Sequence, residues 1–221
     1  MPSREVRIPS GDAWLYGDLA LPPGFGGLVL FAHGSGSGRH SARNRQVAQA
    51  LQRAGIATLL FDLLTDAEER VDVNTREHRF DIPLLTGRMQ DATAWAASQP
   101  ELRGTPIGYF GASTGSAAAL IAAARLGERI AAVVSRGGRP DLAGAAALPA
   151  VKAPTLLIVG GADTGVVALN EEAFRRLECD KHLVIVPGAT HVFPEKGAME
   201  QVQDLAAQWF SSHLVAVAHA A

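Results

Sequence analysis

Short apolar segments alternate with longer amphipathic segments from residue 27 onward. The apolar segments are nearly continuous runs, which is typical of strands buried on both faces of a parallel sheet. They cover residues 28–32, 56–61, 107–110, 130–134, 155–159 and 183–186. The amphipathic segments, which have the spacing of helices, cover about residues 41–54, 83–98, 114–126, 169–177 and 198–213. Ser41 and Asp81 are predicted to begin helices as N-caps, and Gly55 and Gly127 are predicted to end them.

The N-terminal segment has a different pattern. Residues 5–8 and 14–21 flank a Ser-Gly-Asp turn, which indicates an antiparallel hairpin. A hairpin followed by βα repeats predicts an α/β fold, with a mostly parallel sheet of about eight strands and helices on both faces. A chain of 221 residues is long enough to form one such domain, and we expect residues 214–221 to be a frayed tail.

Two segments interrupt the alternation. Residues 63–79 are densely charged without a clear period, which favours a solvated loop, although a connection of this length can also fold over a site as a partial lid. Residues 135–154 are rich in Gly, Ala and Pro and are too short to form an independent lid domain. The sequence therefore predicts a single domain, 1–221, without a large cap.

Composition and charge narrow the classes of partner. The net charge is −2, so electrostatics give no reason to expect nucleic acid or an anionic membrane as a partner. The single cysteine excludes an intrachain disulfide and a multi-cysteine metal site. The N-terminal region lacks the apolar stretch of a signal peptide, and the apolar runs are too short to span a bilayer. We expect a cytoplasmic protein that acts on a small molecule without a metal or a cofactor.

Residues 111–115 read Gly-Ala-Ser-Thr-Gly, between a predicted strand and a predicted helix. A Gly-x-Ser-x-Gly sequence in this context is a nucleophile elbow, a sharp turn that lifts the serine hydroxyl above the sheet. Glycines are needed on both sides because a Cβ there would collide with the neighbouring strand and helix. The sequence therefore predicts Ser113 as a nucleophile.

A serine nucleophile needs a base, and the base needs a group that orients it. Among the seven histidines, His191 follows a predicted strand at the sheet edge where ligands bind in α/β proteins. Asp163 follows the preceding strand at the same edge, although an aspartate there can also do no more than cap the next turn. The order Ser113, Asp163, His191 favours catalysis because α/β-hydrolases keep this order along the chain.

Acyl transfer passes through an oxyanion, which needs fixed N–H donors. The sequence predicts one donor at Thr114, the first residue of a helix, and a second at Ser35, in the Gly-rich loop that follows the first apolar run. This loop also imitates a dinucleotide-binding fingerprint. Arg39 stands where that fingerprint requires its third glycine, so the spacing argues against a bound nucleotide cofactor.

Two arginines follow the predicted strand 130–134 on the edge where ligands bind. Arg136 or Arg139 is suited to pair with a substrate carboxylate, because a guanidinium binds a carboxylate through two hydrogen bonds. The alternative is an arginine that ties down its own glycine-rich loop through contacts with carbonyls and Asp141. We take Arg136 as the substrate-binding candidate.

Four motifs together resemble the α/β-hydrolase superfamily, and the resemblance extends over about residues 4–213. They are the His-Gly-x-Gly loop at 33–36, the elbow at 111–115, Gly-Gly-Ala-Asp at 160–163 and Gly-Ala-Thr-His at 188–191. The small size and the layout without a cap look most like the dienelactone hydrolase family and its small esterase relatives.

The resemblance implies an α/β-hydrolase fold, and it implies Ser113 as nucleophile, His191 as base and Asp163 as its partner. It also implies Ser35 and Thr114 as oxyanion donors. One departure concerns the elbow: authentic dienelactone hydrolases carry cysteine there, whereas this chain carries Ser113. Serine at this position favours ordinary carboxylic esters over dienelactone itself.

The sequence thus predicts a serine hydrolase that cleaves carboxylic esters of short acyl chain, or lactones, through an acyl-enzyme intermediate. The same machinery is also compatible with a dienelactone hydrolase-type lactonase, a thioesterase, an acyltransferase or a peptidase. A remote alternative is a non-enzymatic small-molecule binder on the same scaffold.

Overall fold

A computed structural model describes residues 3–214 of the chain. Its eight strands are β1 (Arg4–Ser10), β2 (Ala13–Ala20), β3 (Leu28–Ala32), β4 (Ala57–Phe61), β5 (Ile107–Ala112), β6 (Ile130–Arg136), β7 (Thr155–Gly160) and β8 (Lys181–Val186). They form one sheet in the order β1-β2-β4-β3-β5-β6-β7-β8. Strand β2 runs antiparallel to both of its neighbours, and β3 to β8 run parallel to one another. The predicted fold class, with its N-terminal antiparallel hairpin, is confirmed.

Within residues 3–214, seven α-helices connect or follow the strands. They are α1 (Ala42–Arg53), α2 (Asp66–Thr75), α3 (Ile82–Ser98), α4 (Thr114–Leu126), α5 (Ala147–Ala150), α6 (Thr164–Arg176) and α7 (Ala198–His213). The predicted N-caps are confirmed, because the side chains of Ser41 and Asp81 each accept a hydrogen bond from a backbone N–H in the first turn of α1 and α3. Gly55 and Gly127 follow α1 and α4 with positive φ angles of 75° and 58°, a conformation that favours glycine.

The continuous apolar strands are explained by two hydrophobic layers, one on each face of the sheet. In β3, Leu28 and Leu30 belong to the layer that also contains α3 and α4. Val29 and Phe31 belong to the other layer, with α1 and α7. Because successive side chains of a strand point to opposite faces, a strand covered on both faces needs apolar residues at every position.

The loop predicted for residues 63–79 is wrong, because most of this segment forms helix α2. The Thr65 side chain accepts a hydrogen bond from the Glu68 N–H, and the Glu68 carboxylate accepts one from the Thr65 N–H, so the helix begins with a capping box. Asp72 is fully buried, and its carboxylate accepts hydrogen bonds from the Arg79 N–H and guanidinium. A charged residue therefore provides the buried contact of this helix.

The connection 135–154 also differs from its prediction. Strand β6 extends to Arg136, so this arginine ends a strand and does not lie in the loop beyond it. The connection then contains a 3-10 helix, Pro140–Ala143, and the short helix α5. Of the predicted tail, residues 215–221 lie outside the described residues. Within residues 3–214, no helix is both long enough and apolar enough to cross a bilayer.

Candidate active site

The nucleophile elbow has the strained backbone that its sequence predicts. Ser113 has φ 51° and ψ −122°, an uncommon conformation for a residue with a side chain. Strand β6 and the loop after it hold this residue from two sides. The Ser113 N–H donates to the Arg136 carbonyl at 3.2 Å, and the Ser113 carbonyl accepts from the Arg139 N–H at 3.1 Å. These bonds fix the serine at the carboxyl end of the sheet.

The glycines of the elbow are required by close contacts. A Cβ added to Gly111 would lie 2.5 Å from the Ser116 Cα, and one added to Gly115 would lie 2.3 Å from the Ala32 carbonyl oxygen. Both distances are far inside van der Waals contact, so alanine at either position would move the backbone. The elbow therefore packs directly on α4 and on the end of β3.

The structure brings Ser113, Asp163 and His191 together from three separate loops. The His191 Nδ1 lies 2.7 Å from an Asp163 carboxylate oxygen, and the His191 Nε2 lies 3.4 Å from the Ser113 hydroxyl oxygen. Because an ionised carboxylate only accepts hydrogen bonds, the proton of a neutral imidazole lies on Nδ1. The Nε2 lone pair then faces the serine hydroxyl, which is the arrangement a general base needs.

Asp163 is also the residue immediately before α6, which is the position of a helix N-cap. Its side chain makes no hydrogen bond to the first turn of that helix and instead contacts His191. Helix α6 begins at Thr164, five residues before the predicted start at 169. The carboxylate of Asp163 therefore bonds to the imidazole and leaves the helix without a side-chain cap.

The loop that carries His191 approaches the strand ends closely, and two glycines whose packing role the sequence did not predict allow this approach. A Cβ added to Gly137 would lie 2.9 Å from the His191 carbonyl oxygen, and one added to Gly160 would lie 2.4 Å from the Ala189 carbonyl oxygen. Phe193, two residues beyond the histidine, is buried and has a positive φ of 57°. Its side chain anchors the loop in the apolar layer below.

The predicted oxyanion donors lie next to each other. The Ser35 and Thr114 hydroxyl oxygens are 3.0 Å apart and share a hydrogen bond. Within residues 3–214, neither backbone N–H has a protein acceptor, so both are free to bind a substrate oxygen. Gly34 allows the loop to reach the elbow, since a Cβ added to it would lie 3.1 Å from the Ser113 Cβ.

His33 positions this loop, a role that sequence reasoning missed. The imidazole is buried; its Nδ1 donates to the Gly34 carbonyl at 3.0 Å, and its Nε2 accepts from the Leu63 N–H at 2.9 Å. Burial lowers the pKa of His33 below its ordinary value of 6.5, which keeps the ring neutral. The neutral ring thus connects the Gly-rich loop that follows β3 to the segment that leads into α2.

Ser113 and His191 line a cavity with a volume of about 140 Å³, and Arg136 lines the same cavity. The side chain is only 6% exposed, and its Nη2 donates to the Asn44 amide oxygen at 3.1 Å. Burial, together with the nearby positive charge of Arg43, lowers the pKa of Arg136 to about 10. Because this value is still well above 7, the buried guanidinium is charged at neutral pH.

Arg139 stabilises its own glycine-rich loop, which was the alternative to a role in substrate binding. Its guanidinium donates two hydrogen bonds to the Asp141 carboxylate, at 2.8 and 2.7 Å. Arg139 does not line the cavity around Ser113. Of the two arginines considered, only Arg136 lies at the candidate site.

Among the described residues, no cluster of three or more His, Cys, Asp or Glu side chains could hold a metal ion.

Comparisons with known proteins agree with this architecture. A model of the dienelactone hydrolase family matches residues 29–216. The crystal structure of a dienelactone hydrolase from Anabaena variabilis is 55% identical, with a TM-score of 0.94 and coverage of 97% of this chain and 100% of that chain. A lid-less α/β serine hydrolase from Xanthomonas campestris is 21% identical, with a TM-score of 0.76 and coverage of 97% and 96% respectively, and shows the same fold.

A curated relative extends beyond the matched region. A putative phosphoribosyl transferase from Mycobacterium tuberculosis is 54% identical over 210 residues, which make up 95% of this chain and 46% of the relative. The chain therefore spans about half the length of this curated relative.

Proposed function

Because the chain belongs to the dienelactone hydrolase family, we propose that it is a serine hydrolase that cleaves carboxylic esters of short acyl chain, or lactones. The family and the α/β-hydrolase fold support hydrolase activity. The ester substrate and the roles of individual residues belong to the proposal. The observation that carries it is the hydrogen-bonded line from Asp163 through His191 to Ser113.

In the proposed acylation step, the Ser113 hydroxyl attacks the ester carbonyl while the His191 Nε2 takes its proton. Asp163 holds the imidazole in the tautomer with its proton on Nδ1 and stabilises the imidazolium that forms. The 3.4 Å separation between His191 and Ser113 is at the long end for a hydrogen bond, as is common in sites without substrate. The imidazolium then returns the proton to the leaving alcohol.

The tetrahedral intermediate places negative charge on the former carbonyl oxygen. The N–H groups of Ser35 and Thr114 are proposed to bind this oxyanion, and the loss of one such donor typically costs about 3 kcal/mol in the transition state. For deacylation, His191 takes a proton from the water that attacks the acyl-enzyme, and the imidazolium returns this proton to the Ser113 oxygen as the acid leaves. Each step is ordinary acyl transfer, in which the nucleophile, base and donors all belong to this chain.

The size of the cavity supports a small substrate. Its volume of about 140 Å³ is below the range of roughly 300–1,000 Å³ that is typical of pockets for drug-sized ligands. We propose that residues 1–221 act as one catalytic domain without a large cap, so that short acyl groups fit and long ones do not. Arg136 is proposed to contact an anionic group of the substrate. A cytoplasmic location remains a prediction of the sequence.

The proposal is tested by the hydrolysis of p-nitrophenyl acetate by the wild type and by Ser113→Ala. Loss of a triad serine is expected to lower kcat by on the order of 10⁴-fold or more. Ser212→Ala is a matched control because this exposed serine lies on α7 and, within residues 3–214, its hydroxyl bonds only to the helix backbone. Undiminished turnover by Ser113→Ala would refute the assignment of the nucleophile.

A second measurement identifies the covalent intermediate and the reaction class. A fluorophosphonate probe should add one phosphonyl group to Ser113, with loss of fluoride, and intact-mass analysis should show no adduct on Ser113→Ala. A panel of esters, lactones, thioesters and peptides, assayed with and without an added alcohol acceptor, separates the esterase from its alternatives. Faster turnover of a thioester or peptide than of any ester or lactone would contradict the proposed substrate class.

A further inference from the structure

The cavity beside Ser113 is lined by positive charge. Two arginines, Arg43 and Arg136, contribute to its wall, and no aspartate or glutamate does. The Asp163 carboxylate contacts His191 and does not line the cavity. An anionic group of a ligand in this cavity would therefore meet two guanidinium groups without a competing carboxylate.

Arg136 lacks the partner that a buried charge normally has. Its side chain is only 6% exposed, and its one hydrogen bond goes to the neutral amide of Asn44. Its Nε has no hydrogen-bond partner among residues 3–214. Buried charges are usually paired, because an unpaired charge out of water is strongly unfavourable. An anion in the cavity would supply a counter-charge to this guanidinium.

Helix α1 begins at the same cavity. Its N-cap, Ser41, and two residues of its first turn, Arg43 and Asn44, line the wall. The first turn contains no acidic residue, so no side-chain charge compensates the positive end of the helix dipole. The Ser41 hydroxyl already accepts from the Asn44 N–H, so the other free N–H groups of the first turn are the ones that could donate to an anion. Ser37 adds a further hydroxyl to the same wall.

We propose that this cavity binds a phosphate group of the substrate, so that the ester or lactone cleaved at Ser113 carries a phosphate monoester in its acyl or alcohol part. This inference rests on the proposed hydrolase function and specifies its substrate. Two guanidiniums match the charge of about −1.5 to −2 on a phosphate monoester at pH 7 better than the single charge of a carboxylate. The cavity also offers hydrogen-bond donors from a helix end, from two hydroxyls and from two arginines. This number of donors suits the three terminal oxygens of a phosphate monoester better than the two oxygens of a carboxylate.

The first test measures binding of inorganic phosphate. Phosphate should inhibit p-nitrophenyl acetate hydrolysis competitively in a non-phosphate buffer of constant ionic strength, and acetate should inhibit much less. Arg43→Gln should raise the inhibition constant for phosphate by about 10-fold or more, the effect of losing one hydrogen bond to a charged group. Arg53→Gln, at the far end of the same helix, is the matched control and should keep the wild-type constant.

The second test compares three acetate esters of similar size: those of 2-hydroxyethyl phosphate, 3-hydroxypropanoate and 2-methoxyethanol. The phosphate ester should have a kcat/KM about 10-fold or more above that of the neutral ester, and Arg136→Gln should remove most of this ratio. If Arg136→Gln does not fold, Arg43→Gln decides the point, because Arg43 is exposed. An equal or larger preference for the carboxylate ester, or no preference, would overturn the phosphate assignment.

The two proposals fail separately. If hydrolysis of p-nitrophenyl acetate depends on Ser113 but phosphate neither inhibits nor improves a substrate, only the phosphate site is refuted. If p-nitrophenyl acetate is not hydrolysed, calorimetric titration of the wild type with inorganic phosphate still decides the site. Binding that Arg43→Gln weakens and Arg53→Gln does not would support it, and the absence of binding would refute it.

Discussion

The hydrogen bond between the Ser35 and Thr114 hydroxyls joins the two loops that supply the proposed oxyanion donors. Thr114→Val removes this bond with little change of shape and keeps the backbone N–H of residue 114. A neutral hydrogen bond contributes about 1 kcal/mol, so we expect kcat/KM for p-nitrophenyl acetate to fall roughly fivefold. The decrease should appear in kcat, with KM nearly unchanged, because the oxyanion exists only in the transition state and the intermediate.

A double-mutant cycle tests whether the bond itself is responsible. Ser35→Ala removes the same bond from the other loop, so Ser35→Ala/Thr114→Val should be about as active as either single variant. Thr105→Val is a suitable control because Thr105 lies just before the amino end of β5, whereas Ser113 follows its carboxyl end. Additive losses in the double variant, or an effect confined to KM, would show that the hydroxyl pair does not position the donors.

Two further predictions concern stability. A Cβ added to Gly138 would lie 2.0 Å from the Ser135 hydroxyl oxygen, so Gly138→Ala should lower the free energy of unfolding by about 1–3 kcal/mol in urea. Gly87→Ala, in open space within α3, should be neutral or stabilising by about 0.5–1 kcal/mol, and an equal loss in both variants would contradict the packing argument. Because burial lowers the pKa of His33, the unfolded state binds more protons, and stability decreases as the pH falls below about 6.5. His33→Asn should show a smaller decrease between pH 7 and 5 by thermal unfolding, and an unchanged pH dependence would count against a buried neutral His33.

The strands that are buried on both faces, and the helices that cover them, could be predicted from the sequence because burial requires particular residue types at each of their positions. Strand β3 needs apolar residues at all of its positions, and the first half of α4 needs small residues to pack against the elbow. The candidate site residues could be proposed for a related reason. Parallel strands bring their carboxyl ends to one edge, so residues that follow those ends in the chain meet in space.

Helix α2 could not be predicted in the same way, since its contact with the rest of the protein reverses the usual pattern. Asp72 is buried through hydrogen bonds, while Val71 and Val73 on either side are exposed. The segment therefore lacks the apolar periodicity that is typical of an amphipathic helix. The burial of Arg136 and its hydrogen-bond partner could not be predicted from the sequence either. Nothing local shows that the partner of its guanidinium is a neutral amide from α1 and not a carboxylate.

Residue 163 illustrates how a chemical role can compete with a structural one. An aspartate before a helix commonly caps it, and such a cap stabilises a helix by about 1 kcal/mol. Here the carboxylate is directed to His191, and α6 begins without that contribution. Under the proposed mechanism, folding stability and catalysis therefore place different requirements on this one side chain. Selection for thermal stability alone would favour a residue or a rotamer that caps α6, at the position that is proposed to orient the imidazole.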